Sequence, residues 1–142
     1  MITRYKYRPK EPFSLHDMTV KRMGYTEGSL SLFLSDEWTD GSDPANRLRV
    51  IIEDVDLDST CVLILSRNGA YGPFKGEKLS LDEYLDKYKD LSFEIVDELY
   101  GYNMVEYSGF LRIKKGRNAV FTEMLVSVYY SGKISYETGN GI

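Results

Sequence analysis

Over residues 91–137 apolar side chains recur at every second position, a period that fits extended strands and not a helix. Phe93 and Ile95 share one parity, as do Val105, Tyr107, Leu111 and Ile113, and Val120, Met124, Val126 and Val128 share the other. Requiring apolar faces to meet sets a register between neighbouring strands. A loop of Tyr100-Gly101-Tyr102 puts Ile95 opposite Tyr107. A two-residue loop, Gly116-Arg117, puts Ile113 opposite Val120 and Tyr107 opposite Val126, with glycine where a type II′ turn wants it. A loop of Ser131-Gly132-Lys133 puts Val128 opposite Tyr136. The expectation is a four-strand antiparallel meander over 91–99, 103–115, 118–130 and 134–137.

The N-terminal half carries the same signal. Leu30, Leu32 and Leu34 alternate with serines, Met18 and Val20 with Asp17, Thr19 and Lys21, and Leu48, Val50 and Ile52 with Arg49, Ile51 and Glu53. The unbroken run Cys61-Val62-Leu63-Ile64-Leu65 reads as a central strand covered on both faces. One segment departs from period two. Ser80-Leu81-Asp82-Glu83 is a capping box, and Leu81, Tyr84, Leu85 and Tyr88 form one helical stripe with acids early and lysines late. This predicts a short helix over about 80–90.

The fold class that follows is mainly β: seven to nine antiparallel strands in a two-layer sandwich or flattened barrel, one helix, and one domain over 1–142. Residues 1–12 read as a basic arm or edge strand and 138–142 as a tail. The apolar fraction of 42% and charged fraction of 28% exclude a disordered chain. No apolar run approaches the roughly 18 residues of a membrane span, and no apolar stretch follows the basic N-terminus as in a signal peptide. A single cysteine, Cys61, and a single histidine, His16, build neither a disulfide nor a Cys/His metal cluster. No cofactor or metal is implied. A free cysteine inside an apolar run suits a reducing cytoplasm.

The net charge of −4 hides a split. Arg4, Lys6, Arg8 and Lys10 face only Glu11 in the first twelve residues, whereas Asp36, Glu37, Asp40, Asp43, Glu53, Asp54, Asp56 and Asp58 crowd residues 36–58. An acidic body disfavours nucleic acid. Arg4-Tyr5-Lys6-Tyr7-Arg8 therefore reads as an edge strand with protective cations rather than a single-strand grip.

Candidate chemistry is sparse. His16 would share a strand face with Met18 and Val20, which places Asp17 on the opposite face and leaves no oriented triad. Asp54-Val55-Asp56-Leu57-Asp58 opens like a Ca²⁺ loop but carries Ser59 and Leu65 where Gly and Glu belong, so it reads as an acidic turn. Glu94, Glu98 and Glu106 read as a wet sheet face with no acid pair forced together.

The Gly/Lys loop over 67–80 leads from a strand to a helix N-terminus, but its spacing departs from a phosphate loop. It supplies the ligand-binding candidates Arg67, Tyr71, Phe74, Lys75 and Lys78. The partner-binding candidates are Asp36, Glu37, Trp38, Asp40 and Asp43, an acid-ringed tryptophan suited to a basic protein surface.

Phe13-Ser14-Leu15-His16-Asp17-Met18-Thr19-Val20, followed by Leu30-Ser31-Leu32-Phe33-Leu34, resembles the opening hairpin of small uncharacterised bacterial β-proteins in which an L-H-D tripeptide starts the first strand. Some lie beside toxins, so the resemblance implies an inhibitor role, and it carries over no site residue. The expectation from the whole chain is a non-enzymatic protein-binding module, of immunity type in the light of that resemblance. The alternative is a small-ligand or carbohydrate-binding protein using the 67–80 loop. Exposed strand edges would also allow a homodimer.

Overall fold

The structure, a computed structural model, describes residues 1–4, 13–36, 47–65, 73 and 75–139. The strands are β1 (Met18–Thr26), β2 (Ser29–Asp36), β3 (Arg47–Ile52), β4 (Cys61–Leu65), β5 (Gly76–Ser80), β6 (Phe93–Gly101), β7 (Met104–Lys115), β8 (Asn118–Tyr129) and β9 (Ile134–Thr138). One helix, α1 (Leu81–Tyr88), lies between β5 and β6. All nine strands join one antiparallel sheet in the order β5-β4-β8-β7-β6-β1-β2-β3-β9. The mainly-β class is therefore the observed one, with one short helix among the described residues.

That strand order forces the sheet to bend. β8 and β9 stand six strand spacings apart, which in a flat sheet is about 29 Å. The chain from Tyr129 to Ile134 reaches at most about 18 Å. The sheet must curl until its two halves face each other, and the seam is stitched where they meet. Val55 bridges Tyr130, and the amides of Ser131 and Gly132 donate to the carbonyls of Asp54 (3.0 Å) and Glu53 (3.2 Å). The concave side is lined by fully buried Val20, Leu30, Val50, Ile52, Val62, Phe93, Ile95, Val105, Tyr107, Leu111, Val126 and Val128.

The expected meander holds for three of its four strands. Gly116 takes φ +60° in the β7–β8 turn, and Ile113 faces Val120 and Tyr107 faces Val126, as the apolar matching requires. The fourth strand is a correction. Tyr136 of β9 lies opposite Val50 of β3, not Val128. Local alternation cannot distinguish the two partners, because both present an apolar face of the same period.

The β6–β7 hairpin also differs. It turns at Tyr102-Asn103, with Asn103 at φ +52°, and the register slips at Val96, so Ile95 faces Gly109 rather than Tyr107. A Cβ on Gly109 would lie 1.8 Å from the Glu94 carbonyl oxygen, so only glycine lets β6 bulge there. Nor is β4 covered on both faces: Val62 and Ile64 are buried, while Cys61, Leu63 and Leu65 are half-buried on the other side.

The helix forms where the capping box predicts. Ser80 Oγ accepts the Glu83 amide, and the Glu83 carboxylate accepts the Ser80 amide, both at 3.2 Å. Leu81 and Tyr84 enter the core, and burial pushes the Tyr84 hydroxyl above its ordinary pKa. Glu77 of β5 accepts the Tyr88 hydroxyl (3.1 Å) and pairs with Lys87 (3.4 Å), tying the helix to the sheet edge.

Candidate functional site

Several sequence-predicted site residues fall outside the described part of the chain: Arg67, Tyr71 and Phe74 of the ligand set, and Glu37, Trp38, Asp40 and Asp43 of the partner set. Asp36 closes β2 opposite Met18. Lys75 is exposed, and Lys78 is exposed on β5 opposite Leu63 of β4.

His16 and Asp17 are not strand neighbours. Asp17 takes φ +65° in a turn before β1, and this brings its carboxylate to 2.9 Å from His16 Nδ1. The pair is solvent-exposed, with 57% and 70% of the two side chains accessible. The acidic turn is self-contained: Asp56 accepts the Ser59 hydroxyl (2.8 Å) and the amides of Asp58 (3.1 Å) and Ser59 (3.4 Å), which lower its pKa. Among the described residues no group of three metal-ligating side chains is gathered.

Glu98 is a further correction. The Val96 bulge inverts the parity of β6, so Glu98 turns to the concave side opposite Tyr107 instead of joining Glu94 and Glu106 outside. Its carboxylate accepts the Leu15 amide and the Tyr100 hydroxyl, both at 2.8 Å, and Tyr100 meets the Tyr136 hydroxyl of β9 at 3.1 Å. Tyr107 is fully buried beside this cluster, and no hydrogen bond of good geometry reaches its hydroxyl. Burial raises the pKa of Tyr100 and Tyr107 above the ordinary range. Tyr107 adds to the rise at Tyr100, Tyr136 and Glu98 add to both, and the Tyr100 hydroxyl partly offsets the rise at Tyr107. The cluster closes the curl by linking β6 to β9 through Tyr100 and Tyr136.

Besides the end strands β5 and β9, the sheet is also unfinished along β1 among the described residues. This strand has nine residues, but β6 pairs with it only at Thr19 and Val20. The register shifts between Val20 and Arg22, and the Met23 amide then donates to the Lys89 carbonyl just beyond α1 (3.1 Å). That bond points away from β2. By the alternation of an antiparallel ladder, the amide and carbonyl of Tyr25 point the same way, where β6 is absent. The result is a hollow of about 400 Å³ between Arg22–Thr26 and the helix end at Leu85, Asp86, Lys89 and Asp90.

The two sides of this strand edge differ chemically. Met23 is buried and Tyr25 packs on the core, both on the concave side, and half-buried Leu85 lines the hollow from α1. Arg22, Gly24 and Thr26 occupy the outer side. The Arg22 guanidinium stacks on Phe33 at 4.3 Å, with Arg49 over the same ring at 5.3 Å. Arg49 is engaged by Glu137 (3.5 Å) and Ser31 (3.1 Å), whereas Arg22 has no carboxylate partner among the described residues. Sequence reasoning missed this edge. The strand pattern of β1 is legible, but where β6 begins beside it is not.

A second hollow, about 280 Å³, opens on the outer face at Leu65, the end of β4. The Val96 bulge and the missing side chain of Gly109 create it, Leu65, Phe110 and Leu125 line it, and Asp97 and Glu123 flank it without ion-pair partners among the described residues.

Fold and site together define a mainly-β protein of one curled antiparallel sheet with an open strand edge beside its helix. No protein-family model, curated protein or solved structure matches the chain.

Proposed function

We propose that this is a protein-binding module that accepts an extended segment of its partner as an added strand along Met23–Thr26. The observation that carries this is the length of β1 that no described strand pairs on its β6 side, which offers the Tyr25 amide and the Met23 and Tyr25 carbonyls inside a hollow walled by a helix. Added strands gain affinity from main-chain hydrogen bonds and specificity from alternate side chains. A toxin inhibitor of the immunity type is one form such a module takes, and the free, half-buried thiol of Cys61 suits work in a reducing cytoplasm.

The test is an NMR titration of the ¹⁵N-labelled protein with the capped peptide Ac-Ser-Thr-Val-Glu-Val-Thr-Ser-NH₂. Binding should shift the amide signals of Met23–Thr26 and slow hydrogen exchange at Tyr25. N-methylation of the central peptide amides should abolish both effects while leaving the peptide's side chains unchanged. Unmoved Tyr25 signals at millimolar peptide would defeat the proposal.

A second reading, a small-ligand protein, is favoured by the outer hollow at the end of β4. A thermal-shift screen of sugars, phosphorylated metabolites and organic amines tests it. Ligand at about 100 Kd should stabilise the fold by ~2.7 kcal/mol.

A further inference from the structure

We infer that the β1 edge selects a partner segment with one acidic residue between two apolar ones, the acid facing Arg22 on the outer side of the sheet. This rests on the strand-addition reading above. Side chains of an added strand alternate between the two faces. Those on the concave side meet Tyr25 and Leu85, which favours apolar residues there. Those on the outer side meet Arg22, Gly24 and Thr26.

Arg22 is prepared for a carboxylate. Its guanidinium carbon lies 4.3 Å from the Phe33 ring centre, and Arg49, 5.3 Å from the same ring, adds a second positive charge whose own carboxylate and hydroxyl partners are already in place. A planar guanidinium fixed in this way loses less freedom when it binds an acid. Gly24 leaves the outer side open, since a Cβ built there meets nothing within 4 Å. The helix rim limits the selection to a single acid. Asp86 and Asp90 outnumber Lys89 along that wall and repel a second carboxylate directed toward it.

Three peptides separate the inference from the reading beneath it: the heptapeptide above and its versions with Gln or Lys in place of the central Glu. The Glu peptide should bind about tenfold more tightly than the Lys peptide at low salt, as expected for an exposed pair changed from attraction to repulsion. The gap should narrow as salt rises. Arg22→Glu should reverse the order, and Arg22→Gln should level it. Arg22 is exposed, so both variants should fold, with Tm lowered only by the few degrees that losing its contact with Phe33 costs. Equal affinities for the three peptides, or an order unchanged by Arg22→Glu, overturn the charge selection and leave strand addition standing. Failure of every peptide to move the Tyr25 amide overturns both.

Discussion

Removing one oxygen atom from Tyr107 should make this protein more stable. The ring is fully buried between Glu98 on β6 and Val126 on β8, and its hydroxyl makes no hydrogen bond of good geometry, the Tyr100 hydroxyl beside it offering at most a weak one. Burying a polar group unpaired costs about 1–3 kcal/mol relative to leaving it in water, and Tyr107→Phe removes that cost while keeping the ring. A net gain of about 1 kcal/mol is expected, or ~3–4 °C in Tm for a chain of this length. Tyr100→Phe is the contrasting variant. It removes the same atom from a hydroxyl bonded to Glu98 (2.8 Å) and Tyr136 (3.1 Å), and leaves a half-buried carboxylate short of one donor. That variant should lose about 1–3 kcal/mol. Urea unfolding of the three proteins, with equal m-values, reads the difference directly. If Tyr107→Phe loses a kilocalorie or more, its hydroxyl has a partner after all, and the reasoning from an unpaired group fails.

The remaining predictions concern separate parts of the fold. Gly109→Ala should destabilise by about 1–3 kcal/mol or more, because its Cβ would press on the Glu94 carbonyl oxygen of the bulged strand, and the loss should appear in urea unfolding. Ser80→Ala should cost about 0.5–2 kcal/mol by breaking the capping box, with helical circular dichroism fraying before the main transition. The folded state holds the protons of Tyr84, Tyr100 and Tyr107 more tightly than the unfolded chain does. Their contribution is therefore fully present below about pH 10 and is lost as pH rises above it. The urea midpoint should fall in that alkaline range, and less steeply in Tyr107→Phe.

The short-range features of this chain were written in its sequence. Two-residue alternation marks strands because successive side chains must leave a pleated backbone on opposite faces. Ser80 and Glu83 mark a helix start because their side chains and amides lie within one turn. Gly116-Arg117 fixed even the β7–β8 register, since a two-residue turn admits no slack. What tertiary structure alone decided was every choice between equivalent apolar faces and every slip of one residue. Tyr136 could have met Val128 as well as Val50, and the curl of the sheet settled it. Glu98 changed face because Val96 bulges where Gly109 gives way to the Glu94 carbonyl, a contact between strands that neither strand encodes by itself. The open edge at Tyr25 has the same origin. It exists because β6 begins only at Phe93, opposite Val20, and the chain before it is still leaving α1, so its cause lies about seventy residues away rather than in β1.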